Sequence, residues 1–225
     1  MSGIRLSLLI ILTTIPIVSC GRSELIRIRL LSPVSETKTD HSLFKDKTLS
    51  TSTKKTTATE PISSGGSLYF LFKSIGLGYS TITTKFENEV SESISDTMLL
   101  RENTTIETNF ADLVFGLGEN YTIMWGVGVL AGGGINSTLN YGYSGVTDET
   151  IVQKELSGHS LFFALAHHGF GFETLLGFRT NYIKAELDDS LSSASKLKLA
   201  NSITYESTGL RFTTTQVQLG IGVTF

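Results

Sequence analysis

From about Lys73 onward, apolar side chains recur at every second position in runs divided by polar segments. The last run is the clearest. Val217, Leu219, Ile221, Val223 and Phe225 share one parity, and Gln216, Gln218, Gly220, Gly222 and Thr224 share the other. Successive side chains of a strand point to opposite faces, so this pattern predicts a strand with one apolar face and one small or polar face. Five more runs follow the same rule, at about Lys73–Phe86, Thr104–Gly118, Tyr121–Tyr143, Gly158–His167 and Phe170–Glu186. Ile75, Leu77 and Tyr79 oppose Ser74, Gly76 and Gly78 in the first, and Ala111, Leu113, Phe115 and Leu117 oppose Asp112, Val114 and Gly116 in the second. In the third, Ile123, Trp125, Val127, Val129, Ala131 and Ile135 oppose a parity rich in glycine and asparagine.

The connections alternate in length. Glu87–Asn103, Gly145–Ser157 and Leu187–Leu210 read as long polar loops, whereas Glu119-Asn120 and His168-Gly169 read as tight turns. A soluble sandwich also alternates, so alternation alone leaves two architectures open. Three features favour a membrane barrel. The face opposite the apolar one is glycine rather than Lys or Glu, which suits a crowded small lumen. The runs approach ~10–15 residues against ~5–6 for soluble strands. Long and short connections succeed one another strictly, as they do between the two sides of such barrels. Aromatic residues gather at the run ends, with Tyr121, Phe170 and Phe225 at the short-turn side and Tyr141, Tyr143 and Tyr182 at the other, as paired interfacial girdles would.

Composition agrees. Charged residues make up 17% of the 225-residue chain, with 22 glycines and three prolines. Beyond the first twenty residues no apolar run nears the ~20 residues of a membrane helix. Lipid satisfies no backbone hydrogen bonds, so a spanning chain of this kind has to close into a barrel. The expected fold is therefore all-β, an antiparallel up-and-down transmembrane barrel. Six strands are identified and eight are expected, since single-chain barrels begin at about eight. The missing pair is sought in Leu25–Leu31, Leu68–Phe72 or the third loop. A net charge of −3 offers no concentrated basic face for nucleic acid.

Residues 1–20 read as a signal peptide, with Arg5 ahead of an apolar stretch from Leu6 to Val18. The stretch ends Ile17-Val18-Ser19-Cys20, which resembles a lipobox and implies lipidation of Cys20; an ordinary secretory signal is the alternative. Residues 21–66, rich in Ser, Thr and Lys beyond Pro33, read as a flexible periplasmic linker that buries too little apolar surface to order itself. The barrel is placed at 67–225.

The segments Ile75-Gly76-Leu77-Gly78-Tyr79, Leu113-Val114-Phe115-Gly116, Glu173-Thr174-Leu175-Leu176-Gly177-Phe178-Arg179 and the closing strand resemble small bacterial outer-membrane barrels of the OmpW, Opa and OmpA-like type. The resemblance implies an integral outer-membrane location with outer-membrane lipid around the wall. It implies that the barrel-assembly machinery reads Val217, Leu219, Ile221, Val223 and Phe225. The class holds adhesins, envelope anchors and narrow conduits, so it implies a structural or surface-interaction role, with a conduit for small or hydrophobic molecules as the alternative and an unidentified extracellular ligand left open.

Candidate chemistry is sparse, and no cofactor or metal is expected. His159-Ser160 with His167, His168 and Glu173 is the nearest to a hydrolase constellation, the minor alternative. Adjacent residues of a strand face opposite ways, so His159 and Ser160 do not pair without a bulge. The glycines of Gly126-Val127-Gly128 and Gly132-Gly133-Gly134 keep strand spacing and complete no phosphate-binding fingerprint. Asp112, Glu173 and Arg179 fall on the lumen parity. Isolated buried ions are prohibitive, so these charges pair or stay hydrated, and an Asp112–Arg179 contact across the lumen is expected.

Overall fold

The structure is a computed structural model that describes residues 26–39, 44–46, 54–92, 95–118, 121–142, 147–169, 171–187, 203–205 and 210–225. The signal peptide, Cys20, the Glu119-Asn120 turn, Tyr143, Phe170 and most of the third loop lie outside them. Among the described residues eleven strands run in chain order: β1 (Ile26–Thr39), β2 (Phe44–Asp46), β3 (Lys54–Ala58), β4 (Ile62–Phe72), β5 (Ile75–Glu92), β6 (Met98–Leu117), β7 (Tyr121–Tyr141), β8 (Glu149–Gly169), β9 (Phe172–Leu187), β10 (Ile203–Tyr205) and β11 (Leu210–Thr224). Eight of them close a ring of antiparallel neighbours, β5-β4-β1-β11-β9-β8-β7-β6, with β6 returning to β5. The short β3 extends the wall along β5, and β2 pairs with β10 in a separate two-stranded sheet.

The seam joins β11 to β1, from Arg27 opposite Thr224 to Thr39 opposite Thr213. β1 and β4 supply the two strands the alternation left unplaced. Their position corrects the expected linker over 21–66, because β1, β2, β3 and the start of β4 lie inside that range. The physical reason is that β1 turns its arginines inward: Arg27, Arg29 and Leu31 are buried while Leu30 is exposed. A strand that hides charge in a lumen looks unlike a membrane strand until its partner is known.

The outer wall changes character along its length. Near the short turns it is an apolar belt: Leu77 is 69% exposed and Ile221 65%, with Phe70, Leu161, Phe172 and Leu176 among the other exposed apolar side chains. Farther along the same strands the outward positions become Thr83, Lys85, Glu107, Asn136, Ser157 and Lys184. The inward positions change in the opposite sense, toward a cluster containing Phe86, Ile106, Phe110, Leu139, Ile183 and Phe212. One half of the barrel is apolar outside, and the other has the polar outside and apolar inside of a water-soluble barrel. A tilted strand crosses a bilayer in about 9–11 residues. β7 and β8 have 21 residues each, so about half of each stands clear, roughly 25 Å at ordinary strand rise and tilt.

This inversion corrects the two loops expected at Glu87–Asn103 and Gly145–Ser157. Both are largely strand, in β5–β6 and β8, and the β5–β6 connection shrinks to 93–97. Their outward residues are polar because water surrounds them. Ion pairs decorate this outer wall: Arg101 meets Glu89 at 2.7 Å and Glu87 at 3.5 Å. The Glu89 hydrogen bonds, followed by the Glu87 charge, raise the Arg101 pKa.

β7 carries a second correction. Its register shifts where Asn109 faces Gly132 but Phe110 faces Leu130. A bulge adds one residue and reverses which parity points inward. The residue left without a cross-strand partner is Ala131, and Gly133, two residues on, takes φ 141°, a conformation that suits glycine alone. Ile135 and Tyr141, expected on the outer face, are therefore buried in the lumen. Single-cysteine labelling along β7 checks this directly. Lipid-soluble probes are expected to react at 123, 127 and 129, and water-soluble probes at 136, 138 and 140. One unbroken two-residue period through 121–141 would contradict the bulge.

Candidate functional site

The lumen of the membrane half holds the candidate site, built by inward residues of all eight barrel strands. Arg179 on β9 is its centre and is fully buried. Its Nη1 donates to Asp112 Oδ2 at 2.9 Å and its Nη2 to Asp112 Oδ1 at 3.0 Å, a bidentate pair. Nη1 also donates to Ser80 Oγ at 2.8 Å and to the Tyr69 hydroxyl at 3.2 Å. Nη2 donates to Ser160 Oγ at 2.6 Å, and Nε to Asn181 Oδ1 at 3.0 Å. Ser80 in turn donates to Asp112 Oδ2 at 2.5 Å. The guanidinium lies 4.7 Å from the Phe110 ring and 5.4 Å from the Phe162 ring. Those rings belong to the two different apolar clusters, so Arg179 sits at the junction of the barrel's halves.

Gly128 leaves the space this network fills. A Cβ there would lie 2.1 Å from Asp112 Oδ1 and 2.4 Å from Ser160 Oγ. Glycine at 128 is thus a packing requirement of the network. Gly126 does the same for the Phe162 ring, 2.3 Å from where its Cβ would stand.

A second pair lies toward the short turns. Arg29 Nε and Nη2 each donate to a Glu173 carboxylate oxygen at 2.6 Å, and both side chains are fully buried. Gly222 makes room for it, since a Cβ there would meet Glu173 Oε2 at 2.8 Å. Arg27 donates to Thr122 Oγ1 at 2.9 Å and to the Gly118 carbonyl at 3.3 Å. Toward the long-loop side, Glu36 accepts from Gln216 Nε2 at 3.0 Å, from Thr84 Oγ1 at 3.3 Å and from the Ser63 hydroxyl. Leu31, Leu71, Val114, Met124 and Leu175 pack between these layers.

The structure places Asp112, Glu173 and Arg179 together in the lumen wall, with Asp112 on Arg179 and Glu173 on Arg29 instead. Sequence reading missed Arg29, Tyr69 and Glu36 because they fall on the strands or strand extensions it left out. The signal was present in Ile26-Arg27-Ile28-Arg29-Leu30, where arginines take every second place. The hydrolase candidates scatter. Ser160 faces the lumen and accepts from Arg179. His159 faces outward and stacks on Tyr182, ring centroids 5.0 Å apart. His167 lies on the outer wall against Tyr121, and His168 lies 3.3 Å from Thr224 Oγ1. Val217, Leu219, Ile221 and Val223 lie on the outward parity of β11, and the exposed Phe225 follows directly after it.

A closed antiparallel eight-stranded barrel with an apolar outer belt and an ion-paired interior is a small integral outer-membrane β-barrel. No protein-family model matches the chain, and no curated protein matches it. Solved structures similar to it include Neisserial surface protein A (NspA), at 11% identity and TM-score 0.42, covering 92% of this chain and 100% of that one. The outer membrane protease OmpT from Escherichia coli is similar at 9% identity and TM-score 0.46, covering 89% and 97%. Ail, the attachment invasion locus protein of Yersinia pestis, is similar at 13% identity and TM-score 0.39, covering 89% and 97%.

Proposed function

We propose that this protein is a non-enzymatic outer-membrane barrel with a structural or surface-interaction role, a plugged anchor that carries its long connections on a rigid β-walled stalk. The observation that supports this best is the filled lumen. Two bidentate ion pairs and an apolar cluster occupy the cross-section of the membrane half, and no charge of either pair is left for a passing solute. Above it the Phe86–Phe212 cluster fills the stalk. A stalk with an apolar core holds its loops at a fixed height, which suits contact with surfaces outside the cell.

Purified full-length protein in a planar bilayer tests this reading. The expected result is no reproducible single-channel conductance. Discrete, repeatable conductance steps would favour the conduit and overturn the plugged anchor. Hydrolysis of lipid substrates by the same preparation, lost on Ser160→Ala, would overturn the non-enzymatic part.

A further inference from the structure

On the outer wall, Lys184 of β9 and Arg211 of β11 are direct cross-strand partners, and both are exposed. Directly opposed side chains stand about 5 Å apart, and like charges there repel. Among the described residues no carboxylate lies within ion-pairing distance of either. Glu155 and Glu186 oppose each other at the next outward step away from the belt. The basic pair therefore faces the membrane side of its own acids.

The wall is concave at this point, lined by Ser157, His159, Tyr182, Lys184, Arg211 and Thr213. The stacked His159 and Tyr182 rings line it, and Ser157, the cross-strand partner of Lys184, donates its hydroxyl to the Lys184 carbonyl at 3.4 Å. Toward the short turns the same outward rows continue into Leu161, Phe178 and Val217 of the belt. A ligand filling the slot needs a compact anion at one end and hydrocarbon at the other.

We propose that Lys184 and Arg211 form a site for the phosphate-bearing headgroup of an anionic lipid in the outward-facing leaflet, whose acyl chains lie along Leu161, Phe178 and Val217. Two cations at the end of an apolar wall complement a phosphate monoester. The repulsion between the two side chains falls when the anion sits between them. The site is on the outer wall, so it stands whether or not the lumen conducts.

The test uses the folded full chain in neutral micelles and native mass spectrometry of retained lipid. Phosphatidic acid is the minimal phosphate-monoester lipid, diacylglycerol its phosphate-free counterpart, and inorganic phosphate the free-ion arm. The wild type is expected to hold phosphatidic acid roughly tenfold or more tightly than the Lys184→Gln/Arg211→Gln variant. Diacylglycerol is expected to separate them by less than about twofold. The swapped variant Lys184→Arg/Arg211→Lys keeps both charges and is expected to restore binding, which distinguishes lost charge from lost fold. Lys73→Gln, at the short-turn end, is expected to change nothing. Equal retention of phosphatidic acid by wild type and double variant would overturn the site. So would an equal loss from Lys73→Gln, which would mean attraction to charge in general, or full displacement by millimolar inorganic phosphate, which would mean a free-ion site.

Discussion

Replacing Arg179 by alanine is expected to destabilise the barrel by about 3–5 kcal/mol, because it leaves the Asp112 carboxylate buried without its counter-charge. The change also strips a hydrogen-bond donor from Ser80, Ser160, Tyr69 and Asn181 together. It leaves a void between Phe110 and Phe162, the aromatic contacts of the two apolar clusters. Urea unfolding in micelles, followed by Trp125 fluorescence and heat-modifiable gel mobility, reads the loss. The companion variant Arg179→Met/Asp112→Leu removes both charges and fills the space with hydrocarbon. It is expected to recover most of the stability, since a buried pair gains little over a well-packed apolar replacement. A cost below about 1 kcal/mol for Arg179→Ala would mean that water screens Asp112. The lumen would then be hydrated, and the plugged reading would fall with it.

The same network explains what could be read from the chain and what could not. The belt strands were legible because lipid on one side and a narrow lumen on the other impose one parity over many residues. Leu113, Phe115, Leu161, Phe178 and Ile221 needed only the period-two rule. The rule failed where the outside medium changed. Beyond the belt the wall meets water, so Phe86, Val90 and Ile106 moved to the inward parity, and the outward residues came to resemble a loop. It failed again at the β7 bulge, since one extra residue, Ala131, reverses faces and nothing in the sequence around it marks the insertion. β1 was hidden for an electrostatic reason. Arg29 is tolerable there because Glu173 lies 144 residues away in sequence and 2.6 Å away in space, and Arg27 because it reaches Thr122 and the Gly118 carbonyl. A long-range pair of this kind is invisible to any local pattern. The lumen chemistry was half legible for the same reason, with Asp112 and Arg179 on strands whose register was known and Arg29 on one whose register was not.

The inverted halves imply that stability is divided along the barrel axis, and Phe212→Ala tests that division. Phe212 is 1% exposed and stacks on Phe86 with ring centroids 5.7 Å apart, inside the stalk. Truncating a buried aromatic side chain costs about 3–5 kcal/mol. Here the loss is expected to fall on the half that water surrounds. The stalk holds itself together by apolar burial, whereas the membrane half is held by its lipid-facing belt and by the Arg179 and Arg29 pairs. Limited proteolysis of the refolded variant is therefore expected to open new cuts in the stalk, between about 85 and 105, while a core protected by the micelle keeps its heat-modifiable mobility. Ile221→Ala makes the contrast, because Ile221 is a lipid-facing residue on the same β11 strand. It removes hydrocarbon from a surface that lipid re-covers, leaves no cavity, and is expected to create no new cuts. If Phe212→Ala instead abolished heat-modifiability outright, the two halves would be one cooperative unit. The aromatic contacts of Arg179 with Phe110 above and Phe162 below would then be the coupling between them.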